Sequence, residues 1–328
     1  MLGIRPAALG TACCAVAAVC YTGSSICMRQ VSALNCDPSW GVCVKESFTV
    51  LVIGPFLIYR AFRGLPVLPP IKILFILILA GLTNQLLGNL GWQWALGIVG
   101  LAVTVPVTFG VMIVVSALFG RILLGEKVTP RSMAAIGLLL VSLILLSLGA
   151  ESVGKTIAES THASIADSGM TSSNTLLVVQ ALLFAGVAGA AYASLTIAIR
   201  HTMNAGAPQT TLMFIITGIG TITLGPISIH RQGLDALLAT PWELFFWMLA
   251  AGVFNLLGFI AITKGLQLTT VLHANVLNAS QVAMAAVAGI LIFQESPNFW
   301  LLLGVILTVL GIILIDRPVA EEAVDQAI

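Results

Sequence analysis

The chain has 328 residues, of which 59% are hydrophobic and 8% charged, with 14 basic against 13 acidic side chains. A mean hydropathy of +1.07 excludes a water-soluble domain, in which about 25% of residues are charged. The near-neutral balance also excludes a nucleic-acid partner, since a phosphate backbone needs a clustered basic surface.

A helix needs about 20 mainly apolar residues to cross roughly 30 Å of hydrocarbon, and ten such runs follow one another. In the first half they are Ala7–Met28, Trp40–Tyr59, Lys72–Trp94, Ile98–Gly120 and Pro130–Gly149. After the Ser- and Thr-rich stretch Ala150–Asn174, read as a flexible external tether, come Thr175–Ile199, Gln209–Ile229, Trp242–Thr263, Val271–Phe293 and Pro297–Ile315. Strands are not expected, because an open strand in lipid leaves backbone groups unpaired at several kcal/mol each. Thr129-Pro130 and Ser296-Pro297 each set a capping hydroxyl before a proline at the first helical position. The separation of the third and fourth runs is placed at Ala95–Gly97, where no charge marks it.

The two halves echo one another. Tyr21, Arg29, Gly54-Pro55, Ala80-Gly81 and Asn84 recur 171 positions later as Tyr192, Arg200, Gly225-Pro226, Ala251-Gly252 and Asn255. The offset falls to 167 between Pro130 and Pro297, which short loop deletions would produce. With the N-terminus inside, ten basic residues lie on the cytoplasmic side against four elsewhere, so both termini are expected in the cytoplasm. An odd number of spans per copy then makes the repeats inverted. The organisation read here is a first five-span repeat over 1–149, an external linker over 150–174, a second repeat over 175–318 and a tail over 319–328. The run after Arg5 is read as a span and not as a cleaved signal, since its end matches Tyr192 and Arg200.

All six cysteines fall in the first 43 residues. Cys36 and Cys43 flank the first external loop, where an oxidising side would permit a disulfide, but the second copy has no cysteine, which argues against one. No CxxC or HxxxH spacing is present, so neither a metal nor a cofactor is expected. The absence of Gly-x-Ser-x-Gly and of a phosphate-binding glycine loop, with four scattered histidines, gives no catalytic constellation.

Candidate substrate-binding residues are polar side chains that the bilayer should exclude. The ninth span carries His273, Asn275, Asn278 and Gln281, the last three spaced by three, and the third carries Asn84, Gln85, Asn89 and Gln93. Each stripe either lines a cavity or supplies interhelical hydrogen bonds. Tyr21 and Tyr192, with Asn84 and Asn255, are related by the duplication and are expected to face one another across a shared space. Lys45 and Glu46 are adjacent ionisable residues inside the second span, pointing about 100° apart and so not expected to neutralise one another directly. Glu46 is a candidate carrier of a coupled proton, and Lys45 a candidate partner for an anionic group. Arg29 and Arg200 read as end anchors that reach the headgroups.

Gly125-Glu126, Thr129-Pro130 and Gly137 close the first half, and Gln294-Glu295, Ser296-Pro297 and Gly304 the second, with Pro106 in the fourth span. This ordered pattern resembles the drug/metabolite transporter superfamily, of the EamA type. The chain departs from it at Thr22-Gly23-Ser24, where members commonly carry Trp-Gly, and at Lys45-Glu46, where they carry an arginine. The resemblance implies ten transmembrane helices in two inverted five-helix repeats, in a multi-pass protein of the cytoplasmic membrane. It implies a secondary transporter exporting a small metabolite, amino acid-like or drug-like, by alternating access. A non-transporting scaffold or sensor and a lipid flippase are the alternatives with the same fold.

Overall fold

The computed structural model describes residues 6–65, 67–99, 101–125, 129–142, 144–145, 171–293 and 299–314. Every regular element among them is a helix. The first half runs α1 (Pro6–Ala33), α2 (Pro38–Phe62), α3 (Ile71–Thr83), a π-helical turn (Asn84–Leu90), α4 (Gly91–Val99), α5 (Leu101–Leu124) and α6 (Pro130–Ser142). The second runs α7 (Thr171–Asn204), α8 (Gln209–Gln232), α9 (Leu234–Leu238), α10 (Trp242–Leu268), α11 (Val271–Asn278), α12 (Ser280–Phe293) and α13 (Phe299–Leu314). Among the described residues, seven spans are long and apolar enough to cross a membrane, Ile71–Val99 being one of them, and α6 and α13 contain shorter apolar helices.

Local chemistry sets several boundaries. Asp37 caps α2 by accepting from the Ser39 N–H at 2.9 Å, with Pro38 at the first helical position. The Thr129 hydroxyl accepts from the Ser132 N–H at 3.1 Å, as its place before Pro130 predicts. The third span continues past the predicted break at Ala95–Gly97 to Val99, since nothing in Ala95–Gly97 stops a helix in lipid. The ninth run is not one helix: Ala279 separates α11 from α12, its N–H bonding to Asn275 O at 2.9 Å while its own carbonyl takes the Val282 N–H at 3.0 Å. α7 begins at Thr171, within the stretch assigned to the linker. The rest of that linker, Glu126, 294–297 and the tail lie outside the described residues.

Corresponding helices of the two halves run antiparallel. Ser228 donates to Ser39 at 2.9 Å near one end of the α2–α8 pair, and Ser47 donates to Thr221 at 3.3 Å further along. At the other end Gly54 meets Phe214. A two-fold axis along the membrane normal would leave α2 and α8 parallel, so the repeats are inverted about an axis in the plane. Exchange contacts agree: Gly81 abuts Ile219 of α8, and Gly252, 171 residues on, abuts Phe48 of α2, itself 171 before Ile219.

Within the third span the register changes. Tyr192 rests on Gly88 and Tyr21 on Gly258, so the offset there is 170, one less than at Gly81. A π turn holds one extra residue in an otherwise α-helical path, and the turn Asn84–Leu90 begins after Gly81 and contains Gly88. One residue of the falling offset is therefore an insertion inside a span and not a loop deletion.

Glycines admit the closest approaches. A Cβ at Gly189 would lie 2.2 Å from the Thr108 carbonyl oxygen, which fixes α7 against α5. Large apolar side chains such as Phe62, Leu51 and Ile222 are exposed, whereas Glu46, Gln85, Gln93 and Asn275 are buried. That distribution suits a molecule whose outer surface meets lipid and whose polar groups pair internally.

Candidate functional site

A cavity of about 160 Å³ lies between the halves, walled by residues from α1, α2, the third span, α5, α7, α8, α10, α11 and α12. Ten of the thirteen residues singled out from the sequence line it: Tyr21, Lys45, Glu46, Asn84, Gln85, Asn89, Tyr192, Asn255, Asn278 and Gln281. Most stand near the middle of their helices, as Tyr21 in Pro6–Ala33 and Asn255 in Trp242–Leu268.

Asn275, Gln93 and His273 do not line it. Asn275 is committed elsewhere. Its side-chain nitrogen donates to Ser116 Oγ at 2.6 Å and to Thr196 Oγ1 at 3.0 Å, packing α11 against α5 and α7. The three-residue spacing put it on a stripe with Asn278, but it reaches the cavity only through Thr196, which lines it. Gln93 likewise is spent on α1, donating to Met28 O at 3.3 Å and Ser32 Oγ at 2.8 Å. His273 lies 3.1 Å from Thr11 Oγ1, away from the cavity. Arg200 donates to Leu266 O at 3.2 Å, so this anchor engages the carbonyl end of α10 in addition to any headgroup. The six cysteines are free thiols: Cys36 contacts the Asp37 carbonyl and Cys43 turns to Thr221 of α8, so no bridge joins them.

The wall maps onto itself. On α1 and α7, Tyr21, Ser24, Ser25 and Met28 correspond at offset 171 to Tyr192, Leu195, Thr196 and Ile199, all of them lining residues. Lys45 corresponds to Ile216 and Asn84 to Asn255 at the same offset. From Gly88 in the π turn onward the offset is 170, pairing Asn89 with Phe259 and Trp92 with Ile262; on α5, Phe109 and Met112 pair with Asn278 and Gln281 at 169. Only Glu46 and Gln85 line the cavity without a lining mate. The axis relating the repeats thus passes through this space.

Polarity breaks that symmetry. Lys45 Nζ lies 3.2 Å from Glu46 Oε1, the side chains being 9% and 2% exposed. This corrects the expectation that adjacent residues would not pair: the four-carbon lysine stem spans the angle between their Cβ directions. Asn89 donates to Glu46 Oε1 at 3.2 Å and to Gln85 Oε1 at 2.7 Å, and accepts from the Tyr192 hydroxyl at 3.0 Å. Gln85 donates to Ile216 O at 3.0 Å, its amide filling the space that a Cβ on Gly220 would take. Opposite, Gln281 donates to Asn278 Oδ1 at 2.6 Å. Buried charges are tolerated only when paired and hydrogen-bonded, and this network meets both conditions.

Sequence reasoning missed Ser25, Thr196, Trp92, Phe109, Met112 and Phe259. The first two were within reach, since they share the 171 offset and each lies one turn after a candidate tyrosine. The apolar residues carry no signal that separates them from lipid-facing ones.

An all-helical polytopic protein whose inverted halves enclose a polar, axis-centred cavity has the architecture of a membrane transporter. The EamA-like transporter family matches residues 8–148 and 179–316, one segment for each repeat, and the chain belongs to it. No curated protein matches the sequence. A solved structure described as "Crystal structure of protein" is similar over 93% of this chain and 95% of its own, with a TM-score of 0.67 at 16% identity; it shares the fold.

Proposed function

We propose that the chain is a secondary transporter that moves a small metabolite across the cytoplasmic membrane, with both termini in the cytoplasm, by rocking its two repeats about the central cavity. The observation that carries this reading is the self-mapping wall: repeat-related residues surround one space, so exchanging the conformations of the halves would expose the same groups to either side. Outward movement is the direction the family resemblance implies. Substrate contact falls to Tyr21, Tyr192, Asn84, Asn255, Asn278 and Gln281, with Lys45, Glu46, Gln85 and Asn89 as the charged and amide pole; Asn275 acts through Thr196.

The Lys45–Glu46 pair is the proposed coupling element. A proton taken up by Glu46 would release Lys45 and the Asn89 bond together, linking protonation to the third span. In proteoliposomes screened with a labelled metabolite panel, substrate-dependent flux driven by a pH gradient is expected. Glu46→Gln should retain exchange of substrate for substrate while losing the response to the gradient. Full gradient dependence in that variant would remove Glu46 from coupling, and no flux of any panel member would remove the transport reading itself.

A further inference from the structure

The charged, hydroxyl and carboxamide groups on the cavity wall divide into two sets. Ser24, Lys45, Glu46, Gln85, Asn89, Tyr192, Thr196, Asn278 and Gln281 each already hold a protein partner. Tyr21, Ser25, Asn84 and Asn255 hold no side-chain hydrogen bond among the described residues, though all four line the cavity. Asn84 is 4% exposed and its Oδ1 is buried with no donor. Six other buried polar atoms lack partners, but none belongs to a lining residue. Tyr21 and Ser25 lie one turn apart on α1, beside Asn255 on α10, while Asn84 stands across the axis on the π turn.

We infer that these four uncommitted groups are the substrate-reading set, and that the solute is a small organic molecule carrying no ionised group, bearing both hydrogen-bond donors and acceptors on an apolar body. The inference rests on the transporter reading and names its substrate class. Hydroxyls and carboxamides supply donors and acceptors but no charge. Among the described residues the wall carries two charges, which oppose each other at 3.2 Å, so a charged solute would bring an uncompensated charge to membrane depth. The remaining wall is apolar, with Phe109, Met112, Phe259 and Ile262. A cavity of about 160 Å³ has room for about five waters, which limits the solute to roughly ten non-hydrogen atoms in this conformation.

The test measures thermal unfolding of the full-length protein in nanodiscs with millimolar probes. Isobutyramide, isobutylamine, isobutyrate and valine share a branched apolar body and differ in charge; nicotinamide is a second neutral probe. Binding to the folded state raises the transition temperature. Isobutyramide and nicotinamide should do so and the other three should not. Tyr21→Phe, which keeps the ring on Gly258, and Asn255→Leu should each weaken the apparent affinity about tenfold, the scale of one lost hydrogen bond. Asn84→Leu should weaken binding too, yet leave the ligand-free transition unchanged or higher, because it removes an unpaired acceptor; a purely structural Asn84 would instead lower it. Stabilisation by valine or a charged probe that Lys45→Met abolishes would overturn the inference, as would no response to either neutral probe. Binding of nicotinamide without flux in proteoliposomes would sink the transport reading and leave the seat standing.

Discussion

Side chains that a spacing rule describes well can still be misplaced by their length or their commitments. Lys45 and Glu46 show the first: helical geometry gives the direction of each Cβ, but not where a flexible lysine stem ends. Asn275 shows the second, because a stripe of three-residue spacing does not say which member a neighbouring helix will claim. Cys36 offers a check at this scale. It sits in the loop between α1 and α2, where burial, with Asp37 beside it, pushes its thiol up to about 12. Since the thiolate is the reactive form, alkylation of a single-cysteine variant retaining Cys36 should still be accelerating at pH 10, where an ordinary thiol has levelled off. Asp37→Asn, which keeps a capping side chain, should bring that rise to lower pH. A plateau near pH 9 in both proteins would contradict the burial of this thiol.

Among the elements, the membrane-spanning helices were legible because an apolar run of sufficient length has one satisfactory backbone solution in lipid. Their interruptions were not. At the break at Ala279 and the π turn at Asn84–Leu90, Asn275 and Gln85 hydrogen-bond to other helices, and no proline or glycine pair announces either one. Close helix pairs make a sharper prediction. Gly189→Ala places a methyl 2.2 Å from the Thr108 oxygen, so α5 and α7 must separate, at a cost of about 1–3 kcal/mol. Gly137→Ala meets nothing within 4 Å and should stay within about 0.5 kcal/mol of the parent. Thermal unfolding in one detergent compares them directly; equal stability of the two variants would refute the α5–α7 packing.

At the scale of the molecule, the duplication announced the symmetry and the charge count announced its inverted sense, yet the cavity wall was only half legible. Its polar members stood out against lipid, whereas its apolar members needed the fold to distinguish them. Rocking requires the α2–α8 pair to shear at its ends. In a background with the native cysteines changed to serine, Ser39→Cys with Ser228→Cys replaces hydroxyls 2.9 Å apart. Oxidation should form a disulfide and stop flux, and dithiothreitol should restore it; undiminished flux in the cross-linked protein would exclude relative motion at that end. The π turn bears on what such motion costs. On the rocking mechanism proposed above, two identical inverted copies would make the outward-open and inward-open forms equivalent by two-fold rotation, equal in free energy and equally populated at rest. The π turn that carries Gln85 and Asn89 adds a residue to one copy alone and would help to lift that degeneracy, giving the empty carrier a preferred side to wait on.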